Sequence, residues 1–305
     1  MASGVQVRND FPDIFASLLP AIDTIYLQDF DEPKVDWEQL FTMKKSTRQF
    51  ENNTGFTGFP TVGTVGEGED YPLYSVAQLY DKKFTHTKFG GAWAVTEEME
   101  DDDQYELVAS MARKFKRSFR FTREVNFSNV FNNANSATEL SADGSNVLAT
   151  HTLFNASTKS NLAATDFGVA SAQTMFDHFA SLTDDQGIRI GLRPWAIVAN
   201  PAMRWVIGEV MRSSLKPYTT DNEKNILNEM DLKEIYWPEI TDTDAWYVVV
   251  KPSTMDGNGL RAYNRQPFTT STDFQISNTT MLSVGRGRWS RGVIDWRAMY
   301  GSPGA

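Results

Sequence analysis

From Thr96 to about Phe127 the chain carries one long helical pattern, acidic in its first half and basic in its second. Directly ahead lies a glycine-punctuated stretch, Thr54 to Gly91, with no compact hydrophobic pattern of its own. Together these two features restrict the fold more than any other part of the sequence. A domain that folds alone has little use for a long extended arm beside a charge-polarised helix. A subunit of an assembly has a use for both.

The helix begins well. Thr96 suits an N-cap, and Glu97, Glu98, Glu100, Asp101, Asp102, Asp103 and Glu106 fill the first turns. Arg113, Lys114, Lys116, Arg117, Arg120 and Arg123 fill the later ones. Each placement complements the helix macrodipole, by about 0.3–1 kcal/mol near an end. Leu107, Met111, Phe115 and Phe119 recur at i+4 with Val108 and Ala112 beside them, which predicts one narrow apolar stripe. About thirty helical residues span roughly 45 Å, a shape suited to packing along an elongated domain.

In the stretch before it, Gly55, Gly58, Gly63, Gly66 and Gly68 accompany Pro60 and disfavour helix. Tyr71 to Tyr80 reads as strand, and Lys82 to Lys88 alternates as a two-sided ribbon does. These segments predict a long β-hairpin projecting from the body, since a plain loop of roughly forty residues would be unusual. Residues 1 to about 52 are mixed. Phe11 to Phe15 with Leu18 and Leu19 form one short apolar segment, and Leu40, Phe41 and Met43 another, ahead of Lys44, Lys45 and Arg48. Neither is long enough to bury itself, so an extension draped over something else is expected.

Beyond the helix, residues 132 to 165 are rich in Asn, Ser, Ala and Thr, with a turn at Asp143-Gly144-Ser145-Asn146. Asp166 is an apt cap for a helix over Phe167 to Leu182 whose inner face is Val169, Ala172, Met175, Phe176 and Phe179. Pro194 to Ala199 reads as a buried strand stopped by Asn200-Pro201. A helix over Ala202 to Met211 follows, with Trp205, Val206 and Val210 inward. Leu232 to Trp237 is a strand, and Trp246 to Val250 is the strongest strand signal in the chain. A tight turn at Gly257 to Gly259 precedes short strands at Leu260–Tyr263, Phe274–Ser277 and Met281–Val284, then an alternating run from Arg288 to Trp296. The fold class is α+β, with the long helix packed on the last strands.

The 305 residues suffice for two packed cores or one large one. A net charge of -10 argues against a dedicated nucleic-acid binder, though not against a shell around nucleic acid. With no cysteine, disulfides and thiolate chemistry are absent. Met1 to Asp10 lack a secretory pattern, and no run approaches a membrane span. A soluble, unanchored protein made inside the cell is expected.

Catalysis has little support. His86, His151 and His178 lie far apart in unlike contexts, outside any ligand spacing. Asp101-Asp102-Asp103 cannot converge on one cation, because successive helical residues point about 100° apart. Phosphate-cradling motifs and a nucleophile elbow are missing. The run Gly285-Arg286-Gly287-Arg288-Trp289-Ser290-Arg291-Gly292 could stack on single-stranded bases. A strand at a subunit contact, its arginines facing acids such as those of Glu97 to Glu106, fits the acidic chain better. No catalytic, cofactor-binding or metal residue is assigned, and the chain is not read as an enzyme.

The order of parts resembles the major capsid proteins of tailed bacteriophages with the HK97-type fold. The branch similar to the head subunits of Mu-like phages is the nearest resemblance. The stretches that carry it are Ala92-Trp93-Ala94-Val95-Thr96-Glu97-Glu98, Leu153-Phe154-Asn155 with Ser160-Asn161-Leu162, and Leu192-Arg193-Pro194-Trp195 through Asn200-Pro201. Asp244-Ala245-Trp246-Tyr247 and Gly292-Val293-Ile294-Asp295-Trp296-Arg297-Ala298-Met299-Tyr300-Gly301 complete them.

The resemblance implies an N-terminal arm over 1–52 and an extended loop over 53–95. It implies a peripheral domain with the spine helix from 96–134 and 271–305, and an axial domain over 135–270. It implies hexamers and pentamers of the chain closing an icosahedral or prolate head that encloses double-stranded DNA without sequence-specific binding. The protein would then reside in the virion, be assembled in the host bacterial cytoplasm, and work without cofactor or membrane. Portal and decoration proteins are implied partners. No long helical segment precedes the arm, so either a separate scaffolding protein serves or a precursor segment is removed, and the leading Met1 favours the former. A covalent Lys–Asn crosslink does not transfer: Lys82, Lys83 and Lys88 lie in the loop, but no partner asparagine or carboxylate is identified. The competing readings are an encapsulin-like compartment enclosing enzymes, and a soluble hydrolase or binding module.

Overall fold

Trp246 to Val250 forms a strand in which every side chain is buried, and the axial half of the chain is built around it. The computed structural model describes residues 5–6, 36–101, 107–217, 223–255, 257–275 and 279–304. In chain order they begin with β1 (Val5–Gln6), α1 (Trp37–Leu40), β2 (Thr42–Lys45), β3 (Phe50–Phe56), β4 (Gln78–Thr85) and β5 (Thr87–Thr96). Next come α2 (Glu97–Asp101), α3 (Leu107–Asn132), β6 (Thr150–Thr152), β7 (Thr158–Ser160), α4 (Val169–Ser181) and β8 (Pro194–Ala199). The chain continues through α5 (Arg204–Arg212), β9 (Lys233–Tyr236), β10 (Trp246–Val250), β11 (Leu260–Gln275), β12 (Thr280–Val293) and β13 (Met299–Ser302).

Two sheets carry the body. The axial sheet has the order β13-β10-β8-β9, with β10 antiparallel to both neighbours and β9 parallel to β8. The second sheet has five strands in the order β1-β5-β12-β11-β2. Its centre is the antiparallel pair β11 and β12, running from Leu260↔Val293 to Gln275↔Thr280. β5 lies antiparallel along β12, from Thr280↔Thr96 to Trp289↔Thr87.

The long helix lies on this second sheet. Val108, Ala109 and Ala112 of α3 pack with Val95, Met99 and Met281. Further along, the Phe119 ring meets Phe268 at 4.6 Å. A Cβ at position 285 would sit 2.6 Å from the Phe115 ring and 2.9 Å from Phe268, so glycine there lets the helix settle on β12. The last turns of α3 sink into the main core, where Phe127 meets Trp37 at 4.6 Å and Phe131 meets Tyr247 at 5.4 Å. The narrow stripe therefore broadens towards the C-terminus. Thr96 caps α2 by accepting from Met99 N–H at 3.3 Å; the stretch 102–106, where continuous helix was expected, lies outside the described residues.

Several expectations are corrected. Leu40 and Phe41, thought unable to bury themselves, are only 1% and 2% exposed. One turn of helix carries them onto α3, and β2 adds parallel to β11, so residues 36–45 join the body. Of residues 1–35 only Val5 and Gln6 are among the described residues, and residues 46–52 lead from β2 into β3. The short strands expected at Phe274 and Met281 belong to one long ribbon, and the expected boundary between 270 and 271 falls inside β11. The cap of α4 is Gly168, whose N–H donates to Ser171 Oγ at 2.7 Å, because Phe167 turns into the core before the helix starts; Asp166 stands outside it. In α5 the inward residues are Ile207, Val210 and Met211, while Trp205 is 78% exposed. A 3-10 turn over Pro201–Met203 rotates the following helix and brings Trp205 to the surface.

Candidate assembly surfaces

The extended stretch forms the expected hairpin with a shorter ladder and a longer tip. β3 and β4 pair from Phe50↔Thr85 to Phe56↔Gln78. Residues 57–77 lie beyond the ladder without strand, including most of the expected strand Tyr71 to Tyr80. The neck is closed by Thr57 N–H to Ala77 O and Ala77 N–H to Thr57 Oγ1, both at 2.9 Å. Glycine and proline at this density leave no side-chain pattern to pair, so the tip is held by local turns such as Gly66 N–H to Glu69 Oε2 at 3.0 Å.

The base is fixed firmly. Asn53 Oδ1 accepts from Arg261 Nη1 at 2.7 Å and from the Tyr263 hydroxyl at 2.9 Å, both on β11. Lys82 Nζ donates to Leu140 O at 2.6 Å, and the Phe84 ring meets Tyr263 at 5.2 Å. Burial lowers the pKa of Lys82, with Glu139 opposing it. The tip, by contrast, presents apolar groups to solvent. Leu73 is fully exposed, Tyr71 is 84% and Val62 79% exposed, and Phe56 and Phe59 follow them. Val62, Tyr71, Pro72 and Tyr74 line a cleft of about 730 Å³ among exposed Glu67 and Glu69. Large apolar side chains exposed on an anchored stalk make a candidate docking surface, since an isolated chain gains nothing from exposing them.

Two other faces are candidates. The outward side of α3 presents Arg113, Lys114, Arg117 and an exposed Phe121, while α2 presents Glu97 and Glu98. On the axial domain, Trp205 stands beside a groove of about 620 Å³ walled by Arg212, Glu234 and Tyr236. Arg212 holds Glu234 bidentately at 2.8 and 2.7 Å.

The three histidines are built into the body. His86 bridges Ser290 Oγ and Ser46 Oγ, each at 2.9 Å, and burial lowers its pKa. His151 is fully buried, contacts Asp143 Oδ2 through Nδ1 at 2.6 Å and stacks on Trp296 at 4.3 Å. Burial alone would raise the Asp143 pKa; hydrogen bonds from His151, Ser141 and the Ser145 N–H outweigh it and hold the carboxyl below its usual range. His178 packs on Tyr300 at 4.6 Å, and burial aided by Lys159 pushes its pKa down to about 4.

Asp102 and Asp103 lie outside the described residues, and among the described residues no group of acidic or histidine side chains could hold a metal ion. The arginine-tryptophan run is the middle of β12. Trp289 is 3% exposed and stacked on Phe89 at 4.1 Å, which removes it from any base-stacking role. Arg291 pairs with Glu139 and donates to Asn126 O at 2.8 Å, so its partners are internal and not the Glu97 to Glu106 end.

Arg297 is the most enclosed cation of this region. Its side chain is 3% exposed and donates to Thr183 O at 3.0 Å, Asp185 Oδ1 at 3.0 Å and both Asp295 oxygens at 3.2–3.3 Å. Burial raises the Asp295 pKa, and Arg297 offsets that only in part. The exposed tip residues and Trp205 were the parts missed from sequence. The signal for the tip was available: Phe56, Phe59, Tyr71 and Tyr74 are aromatic residues spread through a segment with no period to bury them.

A family described as phage capsid protein matches residues 80–302. No curated protein matches the chain. Among solved structures, one of Microbacterium phage Oxtober96 is similar with TM-score 0.55 and 11% identity, covering 91% of this chain and 95% of that one. A structure titled as the capsid of a native GTA particle gives TM-score 0.59 at 11% identity over 90% and 91%. The capsid of Myoviridae phage XM1 gives 0.51 at 9% identity over 91% and 95%. These likenesses carry the HK97-type α+β fold and select no branch within it.

Proposed function

Because the chain belongs to the phage capsid protein family, a structural family without catalysis whose members form the virion shell, we propose a specific way in which its copies hold together. The hairpin tip of one copy lies across its neighbour, burying Leu73, Tyr71, Val62 and Phe59. That exposed apolar tip on an anchored stalk is the observation that carries the reading. Each such side chain contributes about 1.5–3 kcal/mol when fully covered, and symmetry repeats the contact in every copy.

In this reading copies form hexamers and pentamers that close an icosahedral or prolate head around double-stranded DNA. The shell encloses that DNA without sequence-specific binding, and an acidic interior that repels phosphates keeps the polymer mobile. Assembly takes place in the host bacterial cytoplasm, with a separate scaffolding protein, a portal and decoration proteins as partners. The arm over 1–52 braces neighbours through its first part, while residues 36–45 belong to the body. The loop over 53–95, the peripheral domain and the axial domain keep the roles their order implies, with the whole β11–β12 ribbon assigned to the peripheral sheet. The enzyme-enclosing compartment and the soluble hydrolase are set aside, since the family match is to phage capsids.

The test is a Leu73→Asp, Tyr71→Asp double variant examined by negative-stain imaging and circular dichroism. Folded protein with few or no closed particles is expected. Normal particles from this variant would overturn the role given to the tip.

A further inference from the structure

Carboxyl groups concentrate where α1, α3 and the turn after β9 meet. Asp36 precedes α1, Glu124 lies on α3 and Glu239 follows β9, and all three are half-buried. The joint is a built one. Asn132 Nδ2 donates to Glu239 O at 2.9 Å while its Oδ1 accepts from Thr241 N–H at 3.1 Å. Lys233 of β9 hydrogen-bonds Gln39 of α1.

Within this joint the Glu124 Oε2 atom is buried outside hydrogen-bond geometry, and the Trp237 indole N–H, which faces it from the end of β9, favours the ionised form without outweighing burial and the like charges. The nearby cations do little for it. The Arg123 guanidinium lies over the rings of Trp37 at 4.3 Å and Trp289 at 5.3 Å, and it interacts with Glu38 as well as Glu124. Arg120 on the same helix favours the ionised form, and Lys233 acts on Asp36. Against them stand Asp36 and Glu239, two like charges from two different elements. An ionised Glu124 is thus held in a place that offers poor compensation.

We propose that Glu124 is a proton-operated latch between the long helix and the axial sheet, closed when the carboxyl is neutral and loosened when it ionises. Burial first, then Asp36 and Glu239, raise its pKa from 4.5 to about 7. Asp36 is raised as well, by burial and then by Glu239. The folded pKa lies above the unfolded one. The stabilising contribution of the neutral carboxyl is therefore complete below pH 4.5 and is lost as pH rises through about 7. A shell made of such subunits has axial domains held more tightly to their helices in mildly acidic solution.

The test compares melting temperatures of purified wild-type shells and Glu124→Gln shells from pH 5 to pH 8. Glutamine is neutral throughout, so the two proteins melt alike at pH 5 and the variant melts several degrees higher at pH 8. Other titrating groups, His178 included, are common to both and cancel in the difference. Asp36→Asn removes one like charge and moves the midpoint of that difference to lower pH. A difference that does not change with pH, a variant less stable at pH 8, or a midpoint unmoved by Asp36→Asn overturns the proposal.

Discussion

Replacing Arg297 by methionine removes the cation from a site whose other members stay behind. Asp295 and Asp185 lose their shared partner, and the Thr183 carbonyl loses its donor. Methionine fills much of the volume, so the loss is electrostatic and not a cavity. Breaking a buried pair from one side costs about 3–5 kcal/mol, because the remaining charge is left uncompensated. The readout is urea unfolding of dissociated subunits followed by tryptophan fluorescence, with the Trp296 ring 5.0 Å from the guanidinium as a local reporter. Two further results are expected. The Asp295 pKa is already raised by burial and rises further without Arg297, so the deficit shrinks as pH falls towards the ordinary value of 3.8 and grows as pH rises. Adding Asp295→Asn to Arg297→Met recovers more than half of the loss, since it removes the stranded charge. A single-variant loss below about 1 kcal/mol, within the range of an exposed pair, would refute the reasoning. So would a double variant no better than the single.

Two other outcomes follow from the same packing. Gly285→Ala places a Cβ 2.6 Å from the Phe115 ring, and the overpacking costs about 1–3 kcal/mol; adding Phe115→Leu recovers part of it in the same unfolding assay. His178 has its pKa depressed to about 4 from 6.5, so the stability it contributes is present above pH 6.5 and lost as pH falls through about 4. His178→Phe flattens that limb of the stability profile, by at most about 3 kcal/mol before allowance for its partial exposure.

Legibility in the sequence followed how local each structural cause is. Trp246 to Val250 was plain because five consecutive β-formers are buried on both faces of a central strand. The long helix was plain because its charges and its i+4 spacing agree. The β11–β12 ribbon was not, for one strand reads Thr-Thr-Ser-Thr-Asp in its outer half and the other reads Gly-Arg-Gly-Arg in its middle. Those residues form strand because long-range pairing decides, and the glycines make room for Phe115 and Phe268 instead of breaking the sheet. The burial of Leu40 and Phe41 was not legible for a like reason: a single helical turn has no period to detect, and the core it joins lies far along the chain. Neither candidate docking face was read in advance: the tip aromatics sit in a segment with no period to bury them, and the exposure of Trp205 depends on a 3-10 turn that propensity alone does not reveal.

The order β5-β12-β11-β2 has a further consequence during synthesis. Strands from the first third of the chain flank both sides of a ribbon that ends at Val293. The ribosome releases that ribbon long after β2 and β5, which emerge early with no partner to close on. Such distant pairing makes folding slow and leaves unpaired edges waiting. A nascent copy cannot complete its platform, or offer a firmly based hairpin to a companion, until Val293 has emerged.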